Sequence, residues 1–241
     1  MKKLIIIPAY NEESNIKDVV NYIIRTVPDY DYIIINDGST DKTEEICKNE
    51  GFNYISLPVN LGIGGAVQTG YRYALENQYD IAVQIDGDGQ HDCRDLDRLL
   101  DKLKKNRYNM VIGSRFISRE GFQSSFTRRL GISYFSSLIK AITKVRITDP
   151  TSGLRMCDKR VIEVFAKEYP TDYPEPESIV TIIRKGFSVG EVEANMKERQ
   201  GGVSSINAMK AVYYMIKVTL AILISYAANK NIIGGLQAND A

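Results

Sequence analysis

The stretch Ile81-Ala82-Val83-Gln84-Ile85-Asp86-Gly87-Asp88-Gly89-Gln90-His91-Asp92 decides how the chain is read. An apolar run ends abruptly in two carboxylates separated by one glycine. The run predicts a buried strand. Its end falls at the mouth of a sheet, where open α/β folds bind ligands. Asp86 and Asp88 bring negative charge there, and Gln90 adds a carbonyl oxygen. Oxygen donors of this kind suit Mg²⁺ or Mn²⁺. Gly87 and Gly89 remove side chains that would block a close-lying ligand. The spacing alone is equally compatible with a plain Asp-Gly turn. An EF-hand loop is excluded, because its sixth position needs Gly and holds His91, and its twelfth needs Glu and holds Asp97.

Composition narrows the classes further. A chain of 241 residues suits one large domain or two small ones, with length enough for a core. A net charge of +1 provides no basic field for nucleic acid. Cys47, Cys93 and Cys157 are odd in number and far apart, which fits a reducing cytosol and not a disulfide framework. His91 is the only histidine, so multi-histidine metal sites are excluded and a Ser-His-Asp triad is disfavoured.

Around the central stretch the chain alternates strands and helices. Leu4–Ile7 is a continuous apolar strand stopped by Pro8, too short for a signal-peptide core. Asn11 or Ser14 caps a helix to about Thr26. Asp31–Asn36 is a strand that ends in Asp37-Gly38-Ser39-Thr40-Asp41. A helix to about Asn49 and a strand near Tyr54–Leu57 follow. Val59–Ala66 is glycine-rich and opens a helix to about Glu76. It matches neither a P-loop nor a GxGxxG fingerprint, and it serves either phosphate binding or tight packing of the helix start. Arg94–Asn106 is a charged helix, and Asn109–Gly113 a further strand. This β/α alternation implies a parallel sheet with right-handed crossovers.

Beyond Gly113 the pattern loosens. Arg115, Arg119, Arg128 and Arg129 lie among Phe116, Phe122 and Phe126, as a phosphate clamp or as a solvated loop. A helix covers about Leu130–Val145. Asp158 starts a short helix, and Tyr173-Pro174-Glu175-Pro176-Glu177 introduces another, to Lys185. Its acids either serve the first helical turn or point into a cleft. Val189–Ala194 alternates like an edge strand. From Ala211 to Ala228 the only charge is Lys217. This last helix, Ile206–Ala228, suits a lipid surface or an oligomer contact, Lys210 and Lys217 sharing one face; a spanning helix with a central Lys would be costly. The tail, 229–241, reads as disordered.

Read together, six segments resemble the family-2 glycosyltransferases with the GT-A fold. They are Ile6-Ile7-Pro8-Ala9-Tyr10-Asn11-Glu12-Glu13, Asn36-Asp37-Gly38-Ser39-Thr40-Asp41, Asn60-Leu61-Gly62, Asp86–His91, Gly113-Ser114-Arg115-Phe116 and Asp149-Pro150-Thr151-Ser152-Gly153-Leu154-Arg155. The ordered set spans residues 1–205. The segment around Glu198, Arg199, Gly202 and Ser204 makes it similar to the dolichyl- and polyprenyl-phosphate sugar synthases.

The resemblance implies a Rossmann-like, mostly parallel sheet flanked by helices. Residues 1–113 would form the nucleotide-sugar half and 114–205 the acceptor half, with the apolar helix 206–228 appended. It implies that Pro8, Tyr10 and Glu12 line the nucleotide pocket and that Asp37 meets the base or ribose. Asp86 would sit by ribose and metal, with Asp88 and Gln90 on the divalent ion, Mg²⁺ or Mn²⁺. Arg115 and Arg199 would face phosphates, joined by Arg128 or Arg129. Glu177 falls where related enzymes carry a carboxylate before a helix ending in Gly186. Two departures stand out: a Pro-Glu-Pro-Glu setting in place of an aromatic-rich one, and no multi-span C-terminal membrane domain.

The implied reaction is inverting transfer from a UDP- or GDP-linked sugar to a polyprenyl phosphate or lipid-linked glycan at the cytoplasmic membrane face, in cell-surface polysaccharide synthesis. A phosphate acceptor is already ionised and needs only positioning. A hydroxyl acceptor needs a general base, with Glu177 or Glu175 the candidates and Asp92 next. A non-catalytic nucleotide-sugar-binding subunit docking a membrane partner is the alternative. A nicotinamide oxidoreductase fits worse, because Pro8-Ala9-Tyr10 follows the first strand where glycines belong.

Overall fold

The computed structural model describes residues 1–117, 126–195, 213, 215–224 and 226. Their core is a seven-stranded sheet built around β1 (Lys3–Ala9). The other strands are β2 (Asp31–Asn36), β3 (Tyr54–Ser56), β4 (Ile81–Gln84), β5 (Met110–Ser114), β6 (Arg155–Asp158) and β7 (Val189–Glu193). The order is β3-β2-β1-β4-β6-β5-β7. β6 runs antiparallel to both neighbours, and the remaining pairings are parallel.

The unbroken apolar runs are explained by burial on two faces. Leu4 and Ile6 point into one cluster, with Ile33, Ile35, Val67 and Phe165. Ile5 and Ile7 point into the other, with Val20, Ile23, Ile34 and Leu99. Each of these β1 side chains is fully buried, which contributes about 2 kcal/mol apiece relative to exposure. Helices α1 (Ile16–Thr26), α2 (Thr43–Asn49) and α4 (Leu96–Lys105) supply side chains to the second cluster. Helices α3 (Gly62–Glu76), α5 (Phe126–Thr143), α6 (Lys159–Lys167) and α7 (Pro174–Arg184) supply the first.

Several expectations are corrected. β6 is a strand that the sequence pattern does not announce. Its four residues are too few to show alternation. Asp158 does cap the following helix, accepting from Val161 N at 3.0 Å. A short 3-10 turn, Cys93–Asp95, precedes α4. The glycine-rich start of α3 is a packing device. A Cβ on Gly64 would come 2.1 Å from Pro170 O and 2.3 Å from Thr171 O. The amides there are engaged within the protein: Leu61 N on Asp37 Oδ1, Gly62 N on Asn60 Oδ1 and Gly64 N on Thr171 O. β7 occupies the sheet edge, as its alternation indicates.

Lys217 is the one member of the expected basic face among the described residues. It pairs with Asp172 at 2.5 Å. Lys210 and the tail lie outside the described residues. Among those described, no helix is long and apolar enough to cross a membrane.

Candidate active site

The carboxyl ends of β1, β2, β4 and β5 meet the amino end of β6 along one sheet edge. β1 has β2 on one side and β4 on the other, so the crevice between β1 and β4 is a switch point of the topology. Asp86 lies just beyond β4, its side chain 35% exposed. Gly87 lies against β1: a Cβ there would stand 3.1 Å from Pro8 O and 3.6 Å from Glu12 Cγ. Thus the Asp86–Asp88 loop meets the Pro8–Glu12 segment. Asp88 Oδ1 accepts from Gln90 N at 3.1 Å, closing a turn in which Gly89 takes a positive φ of 75°. Asp88 and Gln90 are both partly exposed.

Burial pushes the Asp86 carboxyl up. The His91 hydrogen bond and charge, the Gln84 amide and the Arg115 guanidinium outweigh that and hold it below the usual range. Asp86 is therefore an anion at neutral pH. Among the described residues no three His, Cys, Asp or Glu side chains form a metal cage. Two carboxylates and an amide carbonyl instead match a hard cation that completes its shell with phosphate oxygens and water, as Mg²⁺ does. The donor set of Asp86, Asp88 and Gln90 fits such an ion.

Around this centre the other expected residues are distributed unevenly. Tyr10 is half exposed. Glu12 Oε2 accepts from Asn15 Nδ2 at 2.7 Å, and Glu12 N donates to Thr43 Oγ1. Asp37 is buried, with its N–H on Ala9 O and one oxygen on Leu61 N at 2.7 Å. Burial raises its pKa, outweighing the Leu61 and Gly62 amides. Asp92 is bound by Tyr22 Oη and Arg94, a structural arrangement at the start of the 3-10 turn.

Arg115 is nearly buried and forms a two-pronged pair with the fully buried Asp149, Nε to Oδ2 at 2.6 Å and Nη2 to Oδ1 at 2.7 Å. Nη2 also donates to Thr151 Oγ1. Nη1 makes no hydrogen bond among the described residues, so that edge of the guanidinium remains for an anion. Glu191 on β7 fixes the loop behind it, accepting from Thr148 N at 2.7 Å and Asp149 N at 2.9 Å.

Arg155 opens β6 and is fully buried. All its bonds go to neutral oxygens: Ser152 O, Pro150 O, Ser178 Oγ and Glu175 O. It ties the 149–153 loop to the first turn of α7. Burial raises the Glu175 pKa, while Arg155 and Arg115 lower it and Asp86 raises it. The charges of Asp86 and Arg115 thus reach Glu175 through space. Glu177 is raised by burial alone, with no charged neighbour acting on it. Arg119, Arg199 and the Arg128 side chain lie outside the described residues, and Arg129 is exposed. Asp149 and Arg155 were visible in their motif but carried no assigned role. Glu191 gave no signal, because its partners are 42 and 43 positions away.

The glycosyl transferase family 2 model matches residues 4–165. The chain belongs to that family. It is similar to the UDP-N-acetylglucosamine–dolichyl-phosphate N-acetylglucosaminyltransferase of Methanococcus voltae, at 34% identity over 209 residues, 78% of this chain and 82% of that one. It is also similar to the polyprenol monophosphomannose synthase of Mycolicibacterium smegmatis, at 28% identity, covering 90% of this chain and 85% of the other. Among solved structures it superposes on glucosyl-3-phosphoglycerate synthase from Mycobacterium tuberculosis in complex with Mn²⁺, UDP-glucose and phosphoglyceric acid. The TM-score is 0.72 at 18% identity, over 94% of this chain and 80% of that one. The fold of this family-2 glycosyltransferase is thus GT-A, with the Asp86–Asp88 loop at its switch point.

Proposed function

We propose that this family-2 glycosyltransferase moves a sugar, with inversion, from a UDP- or GDP-linked donor to a polyprenyl phosphate or lipid-linked glycan. The observation that carries the reading is the meeting of the Asp86–Asp88 loop with Pro8 and Glu12 at the switch-point crevice, with Gly153 closing on the Asp86 carboxylate. The names of two relatives support the acceptor class: one acts on dolichyl phosphate, and the other makes a polyprenol monophosphate sugar.

Pro8, Tyr10, Glu12 and Asp37 belong to the nucleotide half, residues 1–113. The sheet edge leaves the sugar facing the 114–205 half. Asp86, Asp88 and Gln90 hold Mg²⁺ or Mn²⁺, which when bound offsets the charge growing on the leaving diphosphate. The free edge of Arg115, preorganised by Asp149, donates to a phosphate oxygen as charge develops. Arg199 is assigned the second phosphate contact.

A polyprenyl phosphate is ionised at neutral pH, so the protein's task is in-line placement. A sugar hydroxyl would need its proton removed. The electrostatics favour Glu175 over Glu177 for that role, since the Asp86 and Arg115 charges act on Glu175 and burial alone acts on Glu177.

The C-terminal helix supports a location at the inner face of the cell membrane, where the chain would serve cell-surface polysaccharide synthesis. Val218 and Ile222 pack into the core, while Tyr213, Ile216, Leu220, Leu223 and Ile224 face outward at 44–67% exposure. Leu130 and Tyr134 of α5 extend that surface, Tyr134 Oη lying 3.1 Å from Thr219 Oγ1. An outward apolar face suits the headgroup boundary of a bilayer, and a second copy of the chain is the alternative occupant. The function is tested by transfer from UDP- and GDP-sugars to polyprenyl phosphate, with and without divalent cation. Intact transfer by Asp88→Ala would remove the metal role.

A further inference from the structure

Strand β4 is apolar except for Gln84, and His91 is the only histidine in the chain. Both are buried, at 1% and 3% exposure. A buried amide or imidazole is costly unless its polar atoms are paired. Each pairs with Asp86. Gln84 Nε2 donates to Oδ1 at 3.1 Å, and His91 Nε2 lies 3.2 Å from Oδ2. Each also leaves its other polar atom unpaired: Gln84 Oε1 and His91 Nδ1 are buried without a hydrogen-bond partner.

An ionised carboxylate only accepts hydrogen bonds, so His91 presents an N–H to it through Nε2. Each unsatisfied buried atom costs stability. What the two side chains share is the Asp86 carboxylate. Gly153 closes a third side: a Cβ there would stand 2.6 Å from Oδ2 and 2.8 Å from Oδ1. The arrangement gives up local satisfaction and gains one fixed carboxylate.

We propose that Gln84 and His91 are positioning residues that clamp the Asp86 carboxylate from both oxygens, in the setting that receives the cation and ribose of the bound nucleotide. The inference rests on the functional reading above, in which Asp86 serves the diphosphate–cation site. Neither residue touches the reacting atoms. Their effect reaches the ligand through Asp86 alone, as outer partners of metal ligands act elsewhere.

The test uses the full chain and two readouts: Mn²⁺ affinity in the presence of UDP or GDP, from the loss of the free-ion paramagnetic resonance signal, and the thermal midpoint. Gln84→Leu and His91→Phe remove the donors together with the orphaned atoms. They are expected to melt at or above the wild-type temperature, while Mn²⁺ affinity falls about 10–100-fold. His91→Gln, which restores an N–H donor, recovers most of that loss. Unchanged Mn²⁺ affinity in the folded variants, whether or not they melt lower, makes both residues merely structural and overturns the proposal. If Gln84→Leu or His91→Phe does not fold, Gly153→Ala carries the test. It keeps both donors and presses on the carboxylate, and it must show the same loss of affinity, or the clamp is wrong. A wild-type chain that binds Mn²⁺ with neither nucleotide overturns the functional reading and the clamp together. Wild-type binding with no loss in the variants overturns the clamp alone.

Discussion

At the scale of single residues, carboxylates that look alike in the sequence are expected to respond differently to substitution. Asp88→Ala is expected to lower transfer by about 100-fold or more, measured as labelled glycolipid formed, since it removes charge stabilisation at the leaving group. Glu175→Gln separates the two acceptor classes. With a hydroxyl acceptor it lowers kcat by about 100-fold, and with a phosphate acceptor it is tolerated, as Glu177→Gln is in both cases. Burial raises Glu175, so the acidic limb of kcat/KM for a hydroxyl acceptor lies above its ordinary value of 4.5 and vanishes in Glu175→Gln. Asp41 works through stability. Burial raises its pKa, but its bonds from Thr43 and from Glu13 N outweigh that and hold it below 3.8. A depressed folded-state value means the contribution is full above 3.8 and is lost as pH falls through the folded value. Asp41→Ala should cost about 1 kcal/mol at neutral pH, a deficit in urea melts that shrinks below pH 3.8. The Asp86–Asp88 pair was legible from spacing because both residues follow one strand end. The resemblance put Glu177 forward, but spacing could not rank it against Glu175, since two positions in a first helical turn face different ways and the docking of the helix sets their surroundings.

At the scale of elements, legibility followed sequence distance. The parallel strands announced themselves as apolar runs because both faces of each are covered. β6 did not: its four residues begin with a buried Arg and end in a helix-capping Asp, and its pairing with β4 and β5 is entirely long-range. Arg115 was found through its motif, but its partner Asp149 lies 34 positions on and turns the side chain into half of a buried pair. Asp149→Asn leaves that guanidinium without its charge partner. It should destabilise by about 3–5 kcal/mol in chemical denaturation and weaken phosphate binding with it. The choice between phosphate loop and packing turn at the start of α3 fell to packing. Gly64→Ala would drive a methyl group into the Pro170 and Thr171 carbonyls, and it should lower stability by about 2–3 kcal/mol without changing nucleotide specificity.

At the scale of the whole molecule, the sheet sets Pro8, Asp37 and Asp86 at the ends of β1, β2 and β4, and Arg115 and Arg155 at the ends of β5 and β6; the proposed function gives the first set to the nucleotide and the second to phosphates and acceptor. The C-terminal helix adds an apolar outer face beside α5. Ile216→Glu, Leu220→Glu and Leu223→Glu together should abolish flotation with anionic liposomes while leaving the melting temperature unchanged; flotation that persists would put another surface on the membrane. One transfer assay decides whether the molecule is a metal-dependent lipid-phosphate glycosyltransferase. Purified chain is incubated with labelled UDP- or GDP-sugars, Mn²⁺ and a polyprenyl phosphate, and the lipid phase is counted. Labelled glycolipid is expected with at least one donor, lost on chelation and regained when Mn²⁺ is restored. Nucleotide-sugar binding without transfer to any phosphate or glycan lipid acceptor, or transfer indifferent to chelation, would overturn the proposed function.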